Sequence, residues 1–430
     1  MNRSATGLLL LSRVTGLDPG KEHRTQAPLF GVGLTMFLIF AGLSATQFHS
    51  YLFESKGIRG LQIGILIMAG QGAAILSPLL QVAIIRRFGG PRIPLMLMIV
   101  GASVTLALLP YMRDFRSFLV LFPAFSFCAA SIFPLNAACT LEAMLGLGHG
   151  AFFRIRTLGT LGFLVGCLIS VGFPHLSDLP LLYKGFSAAL MLALGVVVWE
   201  FRRLPPRSAT ADSARVPKVG SVAPGFRQSL GLLADPVTLR LLLVLGLMNF
   251  ANTMAIGVQA NYLVHRWQEG QRTISLAWVV STACEVPLML LCARVLNRYG
   301  LRYVLGLGIV GTLLKLVGLA SAGTLWQFYL ALTMHGCFYS GALTGFSVYL
   351  DRKYRREERP TLQTLAGVFY GGIPSTLAGL TAGWIWHALS LRSVYLLSGG
   401  IAIPAALYAI NLLRRPEGAL WGQRRDKNVL

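Results

Sequence analysis

Glu285, Lys315 and His335 each stand well inside a long apolar stretch of this chain. At 1.5 Å of helical rise per residue, Glu285 lies roughly 15 Å and His335 roughly 14 Å from an end of its stretch, and Lys315 lies roughly 18 Å into its own. An isolated charge at that depth in a bilayer costs at least about 2.5–3.5 kcal/mol, so such residues face a cavity or a partner. A carboxylate and an ammonium held together there can take up and release a proton as the cavity around them wets and dries. The alternative is a permanent ion pair holding two helices together, with His335 as a hydrogen-bonded core imidazole.

Other polar side chains recur in the apolar runs. Glu142 is the second carboxylate that lies away from the end of a run, and Arg156 occurs early in the next one. They read either as solute contacts or as a gate or loop salt bridge. Asn249 and Asn252 are one helical turn apart and share a face, so their amides can bind hydroxyls or a base edge. Gln71, with Gln47, His49, Asn136, Gln259 and Tyr370, belongs to the same uncharged polar set, some of which are expected to serve only as interhelical hydrogen bonds.

The elements that position these residues follow from composition. The 430 residues are 54% hydrophobic and only 13% charged, about half the charged fraction of a soluble domain. A spanning helix needs about 20 apolar residues, because each peptide group in hydrocarbon must be hydrogen-bonded within its own segment. Runs of that length fall near 28–52, 60–86, 92–111, 117–144, 151–173, 180–201, 237–263, 273–296, 302–321, 326–350, 361–384 and 392–413. The expected fold class is therefore an all-α polytopic membrane protein of twelve transmembrane helices. Residues 1–27 form an N-terminal tail, 28–201 and 237–413 two six-helix bundles, 202–236 a polar linker rich in Arg, Pro, Ser and Ala, and 414–430 a C-terminal tail.

The net charge of +22 sits in short tracts between apolar runs rather than on one stripe. It reads as membrane topology, not nucleic-acid binding. With both termini in the cytosol, the basic residues concentrate on the inside, and Trp267, Trp326, Trp384 and Trp386 gather at the outer interface. The six cysteines all lie in apolar runs without metal-ligand spacing and read as core residues. No metal-ligand cluster, nucleotide motif or nucleophile–base set is present in the sequence, so no cofactor is expected and an enzyme is the least favoured class.

The two bundles carry an internal repeat. Tyr51-Leu52 recurs as Tyr262-Leu263, Ile63-Gly64 as Ile274-Ser275, and Arg87-Phe88-Gly89 as Arg298-Tyr299-Gly300, all at one offset of 211 residues. An offset that spans six helices keeps the membrane polarity of both copies, which makes them parallel pseudo-repeats.

From residue 28 to residue 413 the chain resembles the major facilitator superfamily. Its second inter-helix loop reads Val82-Ala83-Ile84-Ile85-Arg86-Arg87-Phe88-Gly89-Gly90-Pro91-Arg92. This is similar to the family's G-x-x-x-D-R-x-G-R-[KR] pattern at Arg87, Gly89 and Arg92, with Val82 and Arg86 in place of the Gly and Asp. Arg298 and Gly300 are the repeat's counterparts in the second bundle. Four further matches resemble the branch of lactose permease, phenylpropionate permease and nucleoside:proton symporters. They are Arg154, Arg156, Gly159 and Gly162 entering the fifth helix, Glu285 about a dozen residues before an R-[FY]-G turn, Lys315 in the ninth helix, and His335-Gly336 in the tenth.

That resemblance implies a secondary transporter moving a small organic solute by alternating access, with proton symport as the expected mode. Glu285, Lys315 and His335 would couple the proton, and Glu142, Arg156, Asn249, Asn252 and Gln71 would contact the solute. Arg87, Gly89, Arg92, Arg298 and Gly300 would form the conformational loops. A monomer in a plasma membrane, such as a bacterial inner membrane, is implied. A uniporter or exporter of the same fold, or a non-transporting membrane sensor or scaffold, is the alternative reading.

Overall fold

The computed structural model describes residues 26–88, 90–143, 149–203, 231–268, 270–354 and 358–414, and no β-strand occurs among them. The chain runs in successive helical rods: α1 over residues 26–55, α2 Leu61–Phe88, α3 Arg92–Tyr111, α4 Phe115–Ala143, α5 His149–Val171 and α6 Leu179–Arg203. After the linker come α7 over residues 236–267, α8 Gln271–Tyr299, α9 Leu301–Ser321, α10 over residues 325–353, α11 over residues 359–388 and α12 Leu391–Leu413. Among the described residues, nine segments are long and apolar enough to cross a membrane. The remaining rods, α2, α5 and α10, are apolar over shorter or interrupted runs.

Local chemistry sets where several rods begin and end. Asp235 caps α7 by accepting the Thr238 backbone N–H at 3.0 Å, with Pro236 in the first turn where no N–H is needed. Thr324 and Gln327 form a reciprocal capping box on α10, and Ser390 caps α12. Gly300 stops α8 at φ +94°, a backbone conformation that side chains with a Cβ resist.

Four rods are not uniform α-helices. The α1 rod tightens to a 3-10 turn over Ser44–Phe48, and α7 breaks at Val258 between Pro236–Gly257 and Gln259–Trp267. The α10 and α11 rods each contain a π-helical segment, Cys337–Leu343 and Gly367–Gly372. Such π turns carry an extra residue per turn and occur preferentially at functional positions.

Packing repeats with the six-helix offset. In the first half α1 packs on α5 and α6, and α3 packs on α4 and α6. In the second half α7 packs on α11 and α12, and α9 packs on α10 and α12. Two pairs join the halves, α2 with α11 and α5 with α8, and the offset converts one pair into the other, as a pseudo-two-fold axis requires.

The contacts across this seam cluster at the face away from the chain's two described ends. There α2 and α11 meet glycine to glycine: a Cβ on Gly64 would stand 2.8 Å from both the Gly383 Cα and the Gly379 carbonyl oxygen. Small residues of this kind let helix backbones approach closely. At the same face the Gln271 amide donates to the Phe173 carbonyl at 2.8 Å.

A separate polar knot braces the second half at the opposite face. Asp235 accepts from the Lys353 ammonium and from the Thr238 hydroxyl, and Lys353 also donates to the Tyr349 hydroxyl at 2.7 Å. Tyr354 closes the knot by donating to the Leu232 carbonyl at 2.8 Å, so the linker's exit is tied to the end of α10.

Candidate solute and proton site

The most deeply buried ammonium among the described residues is that of Lys315, on α9, whose residue is 1% exposed. Burying such a charge without partners is costly, and the surrounding helices supply two. Lys315 Nζ donates to the Asn252 Oδ1 of α7 and lies 3.3 Å from the Nδ1 of His335 on α10. An ammonium only donates, so the imidazole meets it with the Nδ1 lone pair and carries its own proton on Nε2. Three helices are thereby joined through one cation. The other end of the Asn252 amide, Nδ2, is buried beside the Tyr339 hydroxyl of α10.

His335 occupies the turn just before the π segment of α10. Its ring meets Trp278 of α8 edge-on at 5.6 Å between centroids and Tyr339 at 5.3 Å. The following residue brings α8 against α10: a Cβ on Gly336 would lie 2.8 Å from the Glu285 Cα, so only glycine fits. This contact sets Glu285, which is half-buried, beside the π segment, where Tyr339 is its electrostatic neighbour. Trp278 and Glu285 are seven residues apart, two helical turns, and so share a face of α8. From the first half, Phe163 of α5 closes on Trp278 at 5.8 Å.

The structure thus brings Lys315, His335 and Asn252 together on α7, α9 and α10, and sets Glu285 of α8 against Gly336 of α10. Asn249 goes elsewhere. Its Nδ2 donates to the Gly371 carbonyl at 3.1 Å and to the Ser375 hydroxyl at 2.9 Å, holding the π segment of α11 against α7. Gln71 stands half-buried on α2. Glu142 and Arg156 lie on α4 and α5, but their side chains fall outside the described residues.

Of the loop residues, Arg87 is exposed at the end of α2, Arg92 opens α3, and Gly89 falls outside the described residues. Arg298 rests over the Tyr299 ring at 5.3 Å, one turn residue before Gly300. Sequence reasoning did not single out Trp278 and Tyr339. A signal for them existed, since Trp278 lies two turns before Glu285 and Tyr339 one turn after His335.

Residues 31–397 match the model of the MFS_1 like family. A maltose permease of Geobacillus stearothermophilus is 26% identical over 413 residues, covering 92% of this chain and 96% of its own length. Among solved structures, a mutant of the nucleoside transporter NupG superposes with a TM-score of 0.76 at 17% identity, over 90% of this chain and 99% of its own. A bacterial homologue of the human lysosomal transporter Spinster, inward-facing and occupied, gives 0.66 at 14% identity, over 92% and 98%. These structural likenesses concern the fold.

Proposed function

Because this chain belongs to the MFS_1 like family and is a multi-pass membrane transporter of the major facilitator superfamily, we propose that it imports a small polar organic solute by proton symport. The two halves rock about a mid-depth site and expose it alternately to each face. The observation that carries this reading is the cluster on α7 to α10. It buries an ammonium, Lys315, between Asn252 and His335, with an acid, Glu285, packed against Gly336 on the same stretch of α10.

In this scheme Glu285 holds the transported proton. Lys315, kept in place by Asn252 and His335, fixes the charge balance of the emptied site. Trp278 offers an apolar face against which a ring can lie. The relative named as a maltose permease and the fold neighbour named as a nucleoside transporter both point to ring-bearing, hydroxyl-rich solutes. The contacts at the far face fit a carrier whose site opens toward the side of the termini, which we assign to the cytosol of a plasma-membrane protein acting as a monomer.

The test is uptake into proteoliposomes under an imposed pH gradient, with maltose and nucleosides as first solutes. Glu285→Gln is expected to abolish gradient-driven accumulation, by at least about tenfold, while solute exchange at equal pH survives. Accumulation by Glu285→Gln equal to that of the wild type, with unchanged pH dependence, overturns the coupling role. A wild-type protein that equilibrates solute but never accumulates it makes the chain a uniporter.

A further inference from the structure

At the far face, four residues meet across the pseudo-two-fold axis. Glu54, on the last turn of α1, accepts from Asn261 Nδ2 of α7 at 2.7 Å and meets the His265 Nε2 at 2.5 Å. The same Asn261 amide lies 3.1 Å from the Ser50 carbonyl. The Glu54 side chain is only 9% exposed, although it stands at the end of a rod; His265 is half exposed. Arg59 approaches the shared carboxylate no closer than 3.9 Å. The carboxylate's close bonds therefore all run from the first half to the second.

These contacts follow the repeat. Asn261 is the 211-residue image of Ser50, and His265 is the image of Glu54. A residue touches its own image only beside the two-fold axis, so the axis passes between α1 and α7 here. Both rods change geometry just below this point, again at matched positions. Adding 211 to the Ser44–Phe48 turn of α1 gives 255–259, which contains the break of α7 at Val258. Beyond the two breaks stand short helices, His49–Ser55 and Gln259–Trp267. The α7 break is also stabilised from outside, since the Tyr395 hydroxyl donates to the Ala255 carbonyl at 3.1 Å.

We propose that the segments 49–55 and 259–267 are paired gate leaves, each moving with the half whose aromatic core holds it, and that Glu54 is the latch holding them shut. The leaves seal the far face in the conformation seen here. Opening them requires the Glu54 carboxylate to give up both Asn261 and His265, while the aromatic and apolar cores of each half stay intact. This inference rests on the alternating-access reading but not on proton coupling, so Glu285 can fail its test while the latch stands.

The experiment places spin labels at two exposed leaf positions, Lys56→Cys and Gln268→Cys, in a background without the native cysteines, reconstituted in nanodiscs. Pulsed-dipolar spectroscopy then reads the fraction of open leaves. A charge-assisted hydrogen bond is worth about 1.5–3 kcal/mol, so Glu54→Gln is expected to raise the open-to-closed ratio by about tenfold or more. Asn261→Ser should shift it in the same direction. His265→Asn added to Glu54→Ala, which keeps no acceptor, should shift it no further than Glu54→Ala alone.

A distance distribution unchanged by both Glu54→Gln and Asn261→Ser overturns the latch. So does an additive effect of His265→Asn on top of Glu54→Ala, which would show that the two side chains act separately. Retained solute exchange in Glu54→Gln, with the shifted distances, separates an unlatched carrier from a misfolded one. A wild-type protein whose leaves never separate under any solute or gradient condition overturns the gate.

Discussion

The two halves of this molecule share a helix-packing pattern but differ in what they bury. In the first half a deeply placed imidazole, His49, donates to or accepts from the Tyr183 hydroxyl at 2.8 Å inside a box of Phe53, Phe122 and Phe125. Hydroxyl pairs join its helices, Ser103 with Ser187 at 2.8 Å and Ser77 with Ser131, and the Glu200 carboxyl is buried on α6. The second half buries Lys315 and His335 together, packs Glu285 against Gly336, and interrupts two of its rods with π segments. A duplicated scaffold has thus kept its contacts while, among the described residues, the buried ammonium and the π segments lie on one side. The first half reads as a rigid counterpart against which the second half's site opens and closes.

The sharpest way to break this contrast is to remove the central cation. Lys315→Met should abolish concentrative uptake and lower stability, since it leaves Asn252 and His335 as buried polar groups without their shared donor, at about 1–3 kcal/mol. Thermal unfolding in detergent, read alongside uptake, checks both; a fully active Lys315→Met protein would remove the asymmetry. Next in size, His49→Phe in the first half should cost about 1 kcal/mol of stability through the lost Tyr183 bond, yet leave the uptake rate within about twofold. Uptake that falls as far as in Lys315→Met would give the first half chemistry of its own.

The smallest effect is expected at the Asp235 knot. Burial alone would raise the Asp235 carboxyl, but the Lys353 ammonium and the Thr238 N–H and hydroxyl outweigh it and hold the group below its ordinary value. Its stabilising contribution is therefore complete above the unfolded carboxylate value near 4 and is lost as pH falls through the lowered folded value. With the carboxylate partly exposed and screened, no more than about 1 kcal/mol is at stake. Unfolding midpoints measured between pH 7 and pH 3 should fall less steeply for Asp235→Asn than for the wild type. Parallel curves would show that the knot does not sense pH.

Much of the scaffold was legible because lipid leaves a chain so few options. The apolar runs read from the sequence lie within four residues of the rods in the structure, since a backbone in hydrocarbon must close its own hydrogen bonds. The π segments at 337–343 and 367–372 were not legible. They change the number of residues per turn without changing composition, and nothing in an apolar run marks that.

The site was legible in its ingredients and not in its pairings. Glu285, Lys315 and His335 stood out because charge is costly there. The use of Asn252 for Lys315, and of Asn249 for Gly371 and Ser375, depends on which helices lie on either side of α7. Residues one turn apart on one helix can serve different neighbours. Glu54 and His265 were passed over because each sits at a rod end, where charge is cheap. The 211-residue offset already related them, and only the position of the axis was missing.

That axis has a consequence for how such a chain can arise. In a symmetric dimer of half-length chains, a position on the axis faces its own copy, so glutamate would meet glutamate and histidine would meet histidine. Like charges at hydrogen-bond distance repel, and neither homotypic pair makes a good clasp. Only after two copies are fused into one chain can the two sides of the axis differ. The Glu54–His265 contact is thus a heterotypic bond at a place where symmetry would have imposed a homotypic one, and gene fusion is what makes it available.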